Sequence, residues 1–152
     1  MARRDTRLEA EAAEFFVLGQ LLLNRIPAYK MYTRMPGYDL LANDPERNRT
    51  ARIQVKSRWE TGASGFLIKS FDSDFVVVVR LNRGGKGGAG VPTDPEFFVF
   101  PTAIVQKVCR THSWSKAYFK HIEGYEKYQD AWHLITRFLS GKKQSHRHRT
   151  KK

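Results

Sequence analysis

Phe75-Val76-Val77-Val78-Val79-Arg80-Leu81 is a nearly continuous run of β-branched residues. A strand with one wet face would alternate apolar and polar residues; this one does not, so it reads as a strand buried on both faces at the centre of a sheet. Cover for that sheet is visible before and after it. From about Thr6 to Asn24, Leu8, Ala12, Phe15, Phe16, Leu18 and Leu22 recur at helical spacing, joined by Ala10, Ala13, Val17 and Leu21. Thr102 to Val108 predicts a short helix after Pro101. Tyr128, Ala131, Trp132, Ile135 and Leu139 predict a last one over Glu126 to Leu139, stopped by Gly141. Helix, strands and helix in this order fit one α/β domain over residues 1–140, a central mixed sheet flanked by helices.

Other strands are Phe66 to Ser70 and Glu96 to Phe100, the latter returning after the glycine-rich stretch Gly84 to Gly90. That stretch has a lysine but lacks the spacing of a phosphate loop, so a hairpin connection is the reading. At 152 residues the chain can bury roughly two-thirds of the surface its unfolded form exposes. Cys109 is the single cysteine, with no partner for a disulfide or a zinc pair, which fits a reducing cytosol. No apolar run is long enough to span a bilayer, and no signal peptide is evident. The net charge is +12, and residues 142–152 supply six cations without an acid, so the body is basic by itself. A polyanionic partner follows, and residues 141–152 read as a basic, disordered tail.

One patch stands out against the apolar pattern. Met35 to Leu41 and Arg52 to Arg58 read as two strands of a hairpin, joined by a polar turn. Asp39 belongs to the first, and Gln54 and Lys56, two apart, point to the same side of the second. An acid, an amide oxygen and an ammonium among Leu40, Leu41, Ile53 and Val55 must be paired or bound to a metal. Upstream, Glu14 is enclosed by Ala10, Val17, Leu18 and Leu21 on its helix. It is either a rim carboxylate pairing with an arginine or a fourth member of the patch.

Glu14, then Gly37-Tyr38-Asp39, then Gln54-Val55-Lys56 resembles the PD-(D/E)XK nuclease superfamily with its restriction-endonuclease-like fold. The glutamine in the third motif resembles the branch of Mrr-type restriction enzymes and Holliday-junction resolvases. The resemblance implies that Asp39 is the principal ligand of a divalent metal, Mg²⁺ or Mn²⁺. Gln54 would add its side-chain oxygen, Val55 its backbone carbonyl and Glu14 a water-mediated or orienting contact, while Lys56 would position water and steady charge on the phosphate. Gln54 stands where most members carry Asp or Glu, which implies weaker metal binding. The implied activity is metal-dependent hydrolysis of DNA.

Arg47, Arg49, Arg52, Arg58 and Lys69 are the cations expected to hold the phosphate backbone. Two further readings compete: a nuclease-fold protein that binds nucleic acid without cutting it, and an interaction module whose basic tail recruits an acidic partner. Glu14 discriminates them, since a catalytic site requires it to face Asp39 and Lys56 across one cleft. A nuclease that cuts both strands would gain from a homodimer. Tyr29 and Tyr32 either pack or approach a substrate, and Cys109 with His112 lacks the setting of a nucleophile pair.

Overall fold

The computed structural model describes residues 5–33, 37–85, 90–112 and 115–141. Met35 and Pro36, the centre of the glycine-rich stretch and residues 142–152 of the tail lie outside them.

Helix α1 spans Thr6–Leu23, with Asp5 as its cap accepting a hydrogen bond from the Arg7 backbone N–H at 2.9 Å. It ends in a Schellman turn: Arg25 adopts φ 62°, its N–H reaches the Leu22 carbonyl, and Ile26 N–H reaches that of Leu21. The central sheet holds β1 (Ala28–Lys30), β2 (Leu40–Asp44), β3 (Arg49–Arg58), β5 (Phe75–Arg80) and β6 (Glu96–Pro101), side by side in that order. β3 and β5 pair in parallel and the other neighbours antiparallel, so the sheet is mixed as expected. A two-stranded ribbon of β4 (Gly65–Leu67) and β7 (Lys116–Tyr118) lies apart from it. Helices α2 (Thr102–His112) and α3 (His133–Leu139) complete the chain.

Period-two geometry explains the uninterrupted valines of β5. Phe75, Val77 and Val79 join Ala13, Val17 and Leu21 of α1 and Trp132 and Ile135 near α3. Val76 and Val78 point the other way, to Phe66 and Ile68 near the ribbon, Phe98 and Phe100 of β6, and Val105 of α2. The sheet is thus buried on both faces, which is what the sequence pattern demands.

Three expectations need correction. The first hairpin strand runs Leu40–Asp44, and Gly37 to Asp39 precede it, so Asp39 stands just before it; Met35 and Pro36 of the expected strand lie outside the described residues. The strand expected over Phe66 to Ser70 is three residues long and belongs to the ribbon. The last helix begins at His133; Tyr125–Tyr128 is a 3₁₀ turn, and Asp130 at φ 50° breaks the path between them. Among the described residues no helix is long and apolar enough to cross a membrane.

Candidate active site

The β2–β3 ladder stops at Leu40 paired with Ile53, while β3 continues to Arg58 beside β5. Among the described residues no strand lies along the other edge of β3 beyond Ile53, and Asp39 occupies that gap. Its backbone N–H donates to the Ile53 carbonyl at 2.8 Å, and its carboxylate Oδ2 accepts the Val55 N–H at 2.8 Å. A carboxylate here replaces the carbonyl a longer β2 would have offered. Because N–H and C=O of one strand residue point to the same edge, the Val55 carbonyl faces the gap that Asp39 fills.

Gln54 and Lys56 alternate with Ile53 and Val55 and so project from the face of β3 that carries Val76 and Val78 of β5. Gln54 is only 8% exposed, and its Oε1 is buried with no hydrogen-bond partner among the described residues. Such an orphan acceptor is unfavourable by about 1–3 kcal/mol unless something binds it. Burial pushes the Lys56 ammonium below the ordinary lysine value; Asp39 opposes that shift and Lys69 adds to it.

Glu14 arrives from the other face of the sheet. Together with Asp39, Glu11, Lys30 and Tyr38 it lines a cleft of about 480 Å³. Burial pushes its carboxyl above the ordinary range, against the Lys30 hydrogen bond, and the nearby Asp39 raises it further. Asp39 acts on both Glu14 and Lys56, but neither Lys56 nor Gln54 lines this cleft, so the expected single cleft holds Glu14 and Asp39 and leaves Lys56 on the other face of the sheet. The expected alternative for Glu14 also holds in part, because it is paired, though with a lysine and not an arginine.

That lysine escaped the sequence reading. Lys30 Nζ lies 2.8 Å from Glu11 Oε1 and 2.7 Å from Glu14 Oε2, and its side chain is 6% exposed. Desolvation works against its charge, but the two carboxylates prevail and hold its pKa up. The available signal was Ala28, two residues earlier and buried, which puts Lys30 on the helix-facing side of β1.

The expected phosphate-binding cations divide between the two ends of β3. Arg47 pairs with Asp44, Arg52 with Asp74, and Arg49 lies over the Phe138 ring, all toward the β2–β3 turn. Arg49 is seven residues from Lys56 along the strand, roughly 23 Å at strand rise. Lys69 acts on Lys56, and Arg58 donates to the Gly65 carbonyl at 2.6 Å, so these two belong to the site's end. Tyr29 and Tyr32 are both exposed, Tyr32 on the cleft. Cys109 is buried, which pushes its thiol up and away from nucleophilic use.

Among the described residues no three His, Cys, Asp or Glu side chains gather to chelate an ion. The oxygens near the end of β2 are of another kind: the Asp39 carboxylate in the gap, Glu14 beside it on the cleft, the Val55 carbonyl at the strand edge, and the Gln54 amide oxygen on the opposite face of the sheet. Oxygen donors with one or two carboxylates are the type that suits a hard cation keeping several waters.

The architecture is a mixed α/β one, a five-stranded central sheet flanked by helices with the gap at the end of β2. A bacterial homing endonuclease, I-Ssp6803I, matches the chain with a TM-score of 0.62 over 91% of this chain and 96% of that one, at 19% identity. At that identity the likeness establishes the shared fold. No family model and no curated protein sequence matches the chain.

Proposed function

We propose that the chain is a metal-dependent endonuclease of the PD-(D/E)XK type that hydrolyses DNA phosphodiester bonds. The observation that carries this reading is Asp39 in the strand gap, bonded to the Val55 N–H and acting electrostatically on both Glu14 and Lys56. The nuclease fold shared with a homing endonuclease supports it, and so does the +12 charge.

Asp39, Gln54 through Oε1, Val55 through its carbonyl and Glu14 would hold Mg²⁺ or Mn²⁺. The chemistry such an ion supplies when bound is polarisation of a phosphoryl oxygen and acidification of a water. The remaining work falls to the chain. Lys56 offsets negative charge gathering on the phosphate and orients the attacking water, a role in which one positioned donor is worth about 10²–10³ in rate. Asp39 keeps that ammonium charged against its desolvation. Lys30 neutralises part of the charge of Glu11 and Glu14, so that Glu14 can sit close to Asp39.

A second reading, a nucleic-acid binder without cleavage, draws on Lys30 as well. An ammonium already held by Glu14 competes with a cation for the same oxygens. Incubating supercoiled plasmid and branched DNA with wild type and Lys56→Ala, in Mg²⁺, Mn²⁺ or chelator, separates the two. Metal-dependent nicking lost in the variant is expected; salt-sensitive binding without nicking by either protein would transfer the assignment to the binder.

A further inference from the structure

Helix α1 carries two apolar stripes. Ala13, Val17 and Leu21 face the sheet and are fully buried. Leu8, Ala12, Phe15, Gly19 and Leu22 lie on the opposite side, all exposed, with Leu23 beside them. Leu8 is 71% exposed, Phe15 and Leu22 51% each, and Leu23 76%. A helix surface turned to water normally carries charges, and this stripe has none. Its spacings alternate between four and three residues, the repeat of a helix that packs on another helix.

Gly19 adds an independent anomaly. Glycine is the poorest helix former apart from proline, yet it stands in mid-helix, and a Cβ there would meet nothing within 4 Å. Packing among the described residues gives no reason for it.

We propose that this stripe is a homodimer interface, with α1 of two copies packed antiparallel about a two-fold axis. Large residues (Leu8, Phe15, Leu22) occupy one heptad position and small ones (Ala12, Gly19) the other. Antiparallel pairing sets the two positions against each other, so Leu8 rests on Gly19 and Phe15 on Ala12 of the second copy, and symmetry repeats both contacts. A parallel pair would set Gly19 on Gly19 and leave a void. The antiparallel sense also opposes the two helix dipoles.

The area suffices. Leu8, Phe15, Phe16, Leu22 and Leu23 expose roughly 500 Å² per copy, at about 150–250 Å² for a whole large side chain, which gives roughly the 1,000 Å² total that a specific interface requires. Residues 142–152 contain no apolar side chain that would cover the stripe from within the chain. The inference stands on the helix alone and is independent of the nuclease reading. Phe15 follows Glu14 directly and lies 5.3 Å from the Lys30 ammonium, so the contact would also carry two clefts side by side.

Sedimentation equilibrium of the full chain over a concentration series, with Leu8→Glu and Gly19→Leu beside wild type, tests this. Wild type is expected to dimerise at micromolar concentration. Each variant should associate at least tenfold more weakly with an unchanged circular dichroism spectrum, since open space surrounds position 19. A wild type still monomeric at about 100 μM, whether or not it sediments with lipid vesicles, overturns the proposal. So does a folded Gly19→Leu that dimerises as tightly as wild type.

Discussion

Lys56 sits where charge is expensive. Its folded pKa is below the ordinary 10.5 because burial disfavours the ammonium, with Asp39 opposing and Lys69 reinforcing. Between the folded and unfolded values the unfolded chain binds more protons, so this residue makes stability rise with pH through that window and lowers it below. Lys56→Met should therefore unfold at higher urea than wild type near neutral pH. That advantage should shrink as pH climbs toward the ordinary lysine range, while plasmid nicking falls by about 10²–10³. A variant less stable than wild type at neutral pH would show that Lys56 is a structural ion-pair partner. That Gln54 and Lys56 share one face of β3 was legible because alternation exposes a polar residue in an apolar strand, whereas Asp39 stands before β2 and meets β3 through a hydrogen bond that alternation does not report. Lys30 was not legible, since its partners Glu11 and Glu14 lie more than a dozen residues away on α1, and no local pattern reports a contact made only by folding.

At the level of elements, pattern served where a segment's surroundings are uniform along its length: α1 lays one face on one core, and β5 is buried on both faces, so its valines run without interruption. It misled at the C-terminus. Tyr128 shares helical spacing with Trp132 and Ile135, yet it packs in the core beyond one face of the sheet and they pack in the other, with a left-handed Asp130 between. The ribbon was invisible because its three-residue strands lie some fifty residues apart. Its tightest point is Gly65, where an added Cβ would stand 2.4 Å from the Ala117 carbonyl oxygen, a backbone atom that cannot swing aside. Gly65→Ala should lower unfolding free energy by about 1–3 kcal/mol in a urea titration, as overpacking does. Because Arg58 donates to the Gly65 carbonyl, the same change should disturb the edge of the site. Unaltered stability would mean the ribbon yields easily.

For the whole molecule, the division of cations along β3 predicts a division of labour. Arg58 and Lys69 lie at the end of the strand that bears Lys56, whereas Arg47 and Arg52 are tied to acids near the far turn. Replacing Arg58 and Lys69 with alanine should weaken DNA binding and reduce the slope of log affinity against log salt by about one for each phosphate no longer neutralised, and replacing Arg47 and Arg52 should do less. Equal effects from both pairs would place the nucleic acid along the entire strand. Charge as such was plain in the sequence; which cations remain available for a phosphate was not, because Asp44 and Asp74 claim theirs through folding.

Single-turnover cleavage of an end-labelled duplex by wild type and Asp39→Asn, at saturating enzyme across a Mg²⁺ titration, probes the proposed site most directly. Asparagine keeps an acceptor for the Val55 N–H and so preserves the strand gap, while it removes the charge between Glu14 and Lys56. Wild type should cleave in proportion to Mg²⁺ occupancy, and Asp39→Asn should bind the duplex yet cleave at least about 10²-fold more slowly. Equal cleavage rates for the two proteins would contradict the assignment of this gap as the hydrolytic centre.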